Sequence, residues 1–130
     1  MKIIEQISLD YAEITVYENG IFQAHFLNKT PLSVEQATEI NDLRLSLLNN
    51  KKALILSTSE DSFVVPTKEA VEYIQSANRS NFVKANAFVI KSFSQRLAIK
   101  EANNLSEMPT PIAYFGTEKE AIDWLLSIED

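Results

Sequence analysis

The first quarter of the chain alternates between hydrophobic and polar residues, which is the pattern of strands that bury one face. Ala12, Ile14 and Val16 share one side of such a strand. Asn19-Gly20 then suits a two-residue turn between antiparallel strands, because both residues tolerate positive φ angles. Segment 3–9 adds a further antiparallel strand. After the turn, the buried face continues with Phe22, Ala24 and Phe26.

Beyond residue 31 the pattern changes to helical periodicity interrupted by short apolar runs. Four helices are predicted, each beginning after a residue whose side-chain oxygen can accept hydrogen bonds from the first backbone N–H groups. These four residues are Ser33, Thr67, Ser92 and Thr117. The apolar runs 53–56, 85–90 and 112–115 predict buried strands between the helices, and segment 57–66 predicts a loop.

These elements predict an α/β fold made of a mixed β-sheet, with an N-terminal antiparallel meander followed by α/β units and about four helices. The later strands are expected to lie parallel, because each helix crosses back over the sheet before the next strand. The length of 130 residues predicts a single domain over 1–130. A hydrophobic share of 45% and a charged share of 23% are typical of a globular domain.

The formal net charge of −6 argues against a nucleic-acid partner, because clustered Lys and Arg drive binding to phosphate backbones. Lys51-Lys52 is the only pair of adjacent basic residues. Cysteine is absent, which excludes disulfides and sulfur ligands and favours a reducing, cytoplasmic location. The sequence contains no apolar run of the length that a signal peptide or a membrane span requires.

Candidate chemistry is sparse. The two glycines, Gly20 and Gly116, cannot build a glycine-rich phosphate loop, so no nucleotide cofactor is expected. His25 is the sole histidine, and the alternation places it opposite Ala24 and Phe26, as a surface or partner-facing residue. One histidine without cysteine predicts neither a metal site nor a nucleophilic serine, so no catalytic residue is assigned and an enzyme is the disfavoured class.

Polar residues gather where the predicted parallel strands end. Because these ends meet at one edge of the sheet, where ligands usually bind in α/β proteins, they define a candidate surface for a partner or ligand. Its residues are Ser57, Thr58, Ser59, Ser62, Thr67, Lys91, Ser92, Arg96 and Thr117. The simpler alternative is that Ser92 and Thr117 only cap helices while Lys91 and Arg96 solvate the surface.

Segments 85–92 and 113–125, together with Arg96, resemble the STAS superfamily of sulfate-transporter and anti-sigma-factor-antagonist domains. The closer resemblance is to the related SpoIIAA-like bacterial proteins. The most specific feature is a strand ending at Phe115, followed by Gly116-Thr117 and a helix that contains Trp124. The resemblance implies a mixed-sheet domain with four helices that binds protein partners or small ligands and does not catalyse a reaction.

In anti-sigma-factor antagonists a phosphorylatable serine lies in an Asp-Ser-Ser-Gly pattern after a central strand. The corresponding segment here, 57–67, contains Asp61-Ser62, lacks the glycine and is longer. The resemblance therefore implies that segment 57–67 is a recognition loop. Its sequence matches the phosphorylation motif only in part.

The leading hypothesis is a non-catalytic, cytoplasmic regulatory module whose loop 57–67 and neighbouring helix face contact a protein partner. The alternative is a small-molecule or lipid carrier, since related lipid-transfer domains share the fold. A carrier predicts a deep apolar pocket, whereas an interaction module predicts a filled core. The early hairpin also offers an edge through which a homodimer could pair.

Overall fold

The computed structural model describes residues 1–27, 29–60, 62–76, 82–103 and 110–128, with the backbone alone for 100–103. Within these ranges the strands are β1 (Ile3–Ser8), β2 (Ala12–Tyr17), β3 (Ile21–Phe26), β4 (Ala53–Ser59), β5 (Val83–Val89) and β6 (Ile112–Phe115). The helices in the same ranges are α1 (Val34–Leu47), α2 (Lys68–Ile74), α3 (Phe93–Asn103) and α4 (Glu118–Leu126).

The strands form one sheet in which spatial order follows chain order from β1 to β6. The pairs β1–β2 and β2–β3 are antiparallel, while β3–β4, β4–β5 and β5–β6 are parallel. Leu54 of β4 lies opposite Ala85 of β5, and Asn86 lies opposite Ile112 of β6. The predicted α/β fold, with an antiparallel meander followed by α/β units, is confirmed.

Helix capping follows the sequence pattern at α1. The Ser33 hydroxyl accepts a hydrogen bond from the Gln36 backbone N–H at 3.1 Å, and the Ser33 N–H donates to Gln36 Oε1 at 3.1 Å. The capping box therefore satisfies two backbone N–H groups that have no partner within the helix. Thr67 and Thr117 cap α2 and α4 in the simpler way, through one hydroxyl each.

Strand β4 is longer than the apolar run that predicted it. The sequence predicts a loop from residue 57, but β4 continues to Ser59. Ser57, Thr58 and Ser59 lie opposite Ala24, His25 and Phe26 of β3, so parallel pairing with a neighbouring strand extends β4 through polar residues. The prediction of a loop at these three positions is wrong, because strand propensity is weak compared with pairing in a sheet.

The helices cover both faces of the sheet. We call one the α1/α2 face, where Phe22, Ala24 and Ile55 pack beneath Ala37 and Ala70. The other is the α4 face, where α4 packs against residues of β3, β4 and β5. Its buried residues are Ile21, Leu54, Leu56, Ala85, Ala87, Val89, Ala121 and Leu125. Two-sided burial explains why β4 begins with an apolar run, 53–56, rather than with alternating residues.

Arg44 is a buried charged residue that the helical periodicity does not reveal. Its side chain is 2% exposed on the inward side of α1, beside the apolar Leu43 and Leu47. Its Nη1 donates to the backbone oxygen of Phe82 at 2.8 Å, and its Nη2 donates to Asn41 Oδ1. Burial lowers the pKa of the Arg44 guanidinium below its ordinary value, because the charged form loses contact with water.

None of the helices in the described part of the chain is long and apolar enough to cross a membrane.

Adjacent leucines of α4 provide a test of the packing on the α4 face. Leu125 is 0% exposed whereas Leu126 is 48% exposed. Leu125→Ala is expected to lower the free energy of unfolding by about 2–5 kcal/mol, because it leaves a cavity in the core. Leu126→Ala is expected to change it by less than about 0.5 kcal/mol. Urea unfolding followed by circular dichroism measures both, and equal effects of the two substitutions would contradict the packing of α4.

Candidate functional site

A polar groove lies along the edge of the sheet at which the parallel strands end. Residues at or just after the carboxyl ends of β3 to β6 line it, including His25, Thr58, Val89 and Gly116. Its volume is about 570 Å³. This is the edge at which open α/β sheets usually bind ligands, because side chains and helix N-termini from several units meet there.

His25 lies at the centre of a hydrogen-bonded cluster in this groove. Its Nδ1 is 2.7 Å from Thr58 Oγ1, and its Nε2 is 2.9 Å from Glu60 Oε2. Thr58 is buried, while His25 is half-buried and Glu60 is exposed. The alternation of β3 correctly places His25 opposite Ala24 and Phe26, but its two partners come from β4 and the residue that follows it.

The cluster continues into the sheet through Gln23. Its Nε2 donates to Thr58 Oγ1 at 3.1 Å and to Glu118 Oε1 at 3.3 Å, and the Tyr17 hydroxyl donates to Gln23 Oε1 at 2.9 Å. Burial, reinforced by the negative charge of Glu118, raises the pKa of the Tyr17 hydroxyl. The hydroxyl therefore stays protonated and serves as a donor to Gln23.

The hydrogen bonds of the cluster can be arranged consistently. Thr58 Oγ1 accepts from Gln23, and it either donates its own proton to His25 Nδ1 or accepts a second hydrogen bond from that nitrogen; in both arrangements His25 Nε2–H can donate to Glu60. The arrangement links β3, β4 and α4, and the Thr58 hydroxyl is held between two partners below the groove surface.

The described residues contain no group of three or more His, Asp or Glu side chains that could hold a metal ion.

The structure brings six of the nine predicted surface residues into the groove. They are Thr58, Ser59, Ser62, Lys91, Ser92 and Thr117. Ser57 points to the α1/α2 face and lines a separate cavity, because it alternates with Thr58 along β4. Thr67 accepts a hydrogen bond from the Ala70 N–H at 3.2 Å and caps α2.

Arg96 and Gly116 have a joint role that differs from the sequence interpretation. Arg96 was expected either to face a ligand or to solvate the surface, but its Nη1 donates to the backbone oxygens of Ile90 and Lys91 at 2.6 and 3.1 Å. A Cβ atom on Gly116 would lie 2.9 Å from that nitrogen. Gly116 is therefore a point of close approach for Arg96, and not merely a turn residue.

Ser92 also differs in part from the sequence interpretation. Its hydroxyl accepts from the Gln95 backbone N–H at 3.2 Å, as expected for the start of α3. The Gln95 side chain, however, donates to the backbone oxygen of Phe63 at 2.6 Å instead of returning to Ser92. The first turn of α3 is thereby attached to the segment that follows β4.

A smaller, apolar cavity lies between the sheet and helices α1 and α2. Its volume is about 80 Å³. Phe22, Ile55 and Phe88 line it from the sheet, and Ile40 and Arg44 line it from α1. Pockets for drug-sized ligands are typically about 300–1,000 Å³, so this cavity is small by comparison.

The first two turns of α3 expose an apolar pair beside the groove. Phe93 is 70% exposed and Leu97 is 48% exposed, and they lie one helical turn apart. The guanidinium carbon of Arg96 lies 5.7 Å from the centre of the Phe93 ring. We refer to Phe93 and Leu97 as the α3 surface.

The order and pairing of the strands are those of a SpoIIAA-like fold. A solved structure with a similar fold is that of an uncharacterised protein of the DUF3478 family from Shewanella loihica PV-4, described as SpoIIAA-like. It is 17% identical in sequence, the match covers 95% of this chain and 93% of that chain, and the TM-score is 0.53. This likeness concerns the fold alone.

Residues 15–129 match the family described as a domain of unknown function, DUF7793. The match covers most of the chain, which therefore belongs to this family. None of the curated proteins compared with the chain matches it in sequence.

Thr58 provides a test of the hydrogen-bonded cluster. Thr58→Val keeps the shape of the side chain but removes the oxygen that joins His25 to Gln23, and is expected to lower the free energy of unfolding by about 1–3 kcal/mol. Thr58→Ser keeps that oxygen and is expected to cost less. Urea unfolding of both variants measures the difference, and a Val variant as stable as the Ser variant would show that the cluster contributes nothing.

Proposed function

We propose that the protein is a non-catalytic, cytoplasmic regulatory module that binds a protein partner through the α3 surface. The observation on which this rests is the exposure of Phe93 and Leu97 on one side of α3. Large apolar side chains spaced one turn apart are typical anchors where a helix packs against another protein.

The surroundings of this apolar pair support the proposal. Val65 is also exposed, and the Gln95–Phe63 hydrogen bond connects its segment to α3. Lys91 and Ser92 add exposed polar groups on the groove side. An apolar centre with a polar rim is the composition that protein interfaces favour.

The cavity volume supports an interaction module over a lipid carrier. A lipid carrier needs a pocket long enough for an acyl chain, whereas the cavity on the α1/α2 face is about 80 Å³. The remainder of that face is packed with buried residues such as Ile14, Val16 and Ala70. A filled core is what the interaction module requires.

A matched pair of leucines tests the proposal. Leu97 in α3 and Leu126 in α4 are both 48% exposed. We expect Leu97→Asp to abolish capture of the partner in affinity purification from the native cell, because a carboxylate would be buried in the interface. Leu126→Asp is expected to leave capture unchanged, and circular dichroism verifies that both variants fold.

Replacing residues 60–66 with a neutral linker of equal length tests the contribution of the loop. We expect the same partner to be lost, since the Gln95–Phe63 hydrogen bond attaches this segment to α3 and its Val65 is exposed. A partner retained by both the Leu97→Asp and the linker variants, or no specific partner for the unmodified chain, would overturn the proposal.

A further inference from the structure

The burial of the Arg44 guanidinium without a negatively charged partner, in the part of the chain that the structure describes, is explained neither by the fold nor by the proposed partner surface. Its guanidinium is buried against the apolar cavity on the α1/α2 face, yet both hydrogen bonds that it donates go to uncharged oxygens, those of Phe82 and Asn41. Among the described residues no carboxylate pairs with it. The positive charge is thus enclosed without a counter-ion in this part of the chain.

An enclosed charge of this kind is unfavourable. A guanidinium remains protonated in proteins and carries five N–H donors, of which two hydrogen bonds use only part. Buried charges are costly unless an opposite charge pairs with them, so Arg residues in protein interiors normally face a carboxylate or a bound anion. If Arg44 served only to tie α1 to Phe82, an uncharged donor would suffice.

The rest of the cavity indicates what kind of anion would fit. Phe22, Ile55 and Phe88 provide an apolar wall, and Ile40 faces them from α1. The volume of about 80 Å³ is smaller than the roughly 150 Å³ of an engineered cavity that accommodates benzene. The occupant therefore has one charged end and a short apolar tail.

We propose that this cavity binds a short-chain monocarboxylate, with the carboxylate paired to Arg44 and the alkyl tail against Phe22 and Phe88. A carboxylate matches the planar fork of a guanidinium and carries a single charge. A phosphate group would bring a second charge, and Arg44 is the one cation among the described residues that line the cavity. The site lies on the α1/α2 face and is independent of the proposed α3 surface.

Titration calorimetry of the full chain with butyrate, and with butyramide as its uncharged counterpart, tests the proposal. We expect saturable binding of butyrate that is at least about tenfold tighter than that of butyramide, because hydrogen bonds between charged groups are the stronger ones. Nuclear Overhauser contacts between the butyrate methyl group and the rings of Phe22 and Phe88 are expected to locate the ligand in the cavity.

Two substitutions test whether the positive charge of Arg44 contributes to butyrate binding. Arg44→Met keeps an unbranched apolar side chain and removes the charge, and is expected to weaken butyrate binding at least about tenfold. Lys119→Met removes an exposed cation on α4 and is expected to leave binding unchanged. If Arg44→Met fails to fold by circular dichroism, Arg44→Lys replaces it, with a smaller loss expected because lysine keeps the charge without the fork.

Three results would overturn the proposal. The first is the absence of saturable binding for every straight-chain carboxylate from acetate to hexanoate. The second is equal binding of butyrate by the unmodified chain and by the folded Arg44 variant. The third is binding of inorganic phosphate as tight as that of butyrate, which would assign the site to a different class of anion.

Discussion

The parallel pairing of β3 with β4 is the constraint on which the rest of the structure depends. It joins the antiparallel meander to the α/β units, with Ile21 opposite Leu54 at one end and Phe26 opposite Ser59 at the other. A parallel connection requires a crossover, which α1 provides, and the right-handed crossover preference restricts the topology that follows. It also brings the carboxyl end of β3 beside that of β4, and so places His25 in the groove.

Because of this pairing, the polar residues at the end of β4 contribute to two sites, the groove and the apolar cavity. Successive side chains of a strand point to opposite faces, so Thr58 enters the groove cluster while Ser57 lines the apolar cavity. The polar run after Leu56 thus contributes side chains to both of these environments. Phe63 borders both, so it lies between the groove and the apolar cavity.

The sequence predicts the elements well because they depend on local patterns. Alternation, capping residues and apolar runs identify the antiparallel meander, the later α/β units and the starts of the helices, and Ser33 caps α1 as expected. The extension of β4 is missed because polar residues 57–59 become a strand only through their pairing with β3. Asp61, the first residue of the partial phosphorylation motif, lies outside the described residues.

The features missed at the candidate site have a common physical cause, which is that their partners are distant in sequence. Glu60 is 35 positions from His25, and Phe82 is 38 positions from Arg44. Periodicity finds the inward side of α1 but cannot show that an arginine there is enclosed. Gly116 is similar, since the group that it approaches closely is the Arg96 side chain in the preceding helix.

A shared fold does not determine the function of this chain, which depends on its own side chains. SpoIIAA-like folds position loops and helix starts at one sheet edge, but the chemistry there depends on which residues occupy those positions. Here that edge contains a hydroxyl already bound by His25 and Gln23, and an exposed apolar pair on the adjacent helix. The first stiffens the sheet edge and the second offers a surface for contact. Preorganised surfaces lose less conformational entropy on binding, so a stiff sheet edge is compatible with the partner binding proposed for the α3 surface.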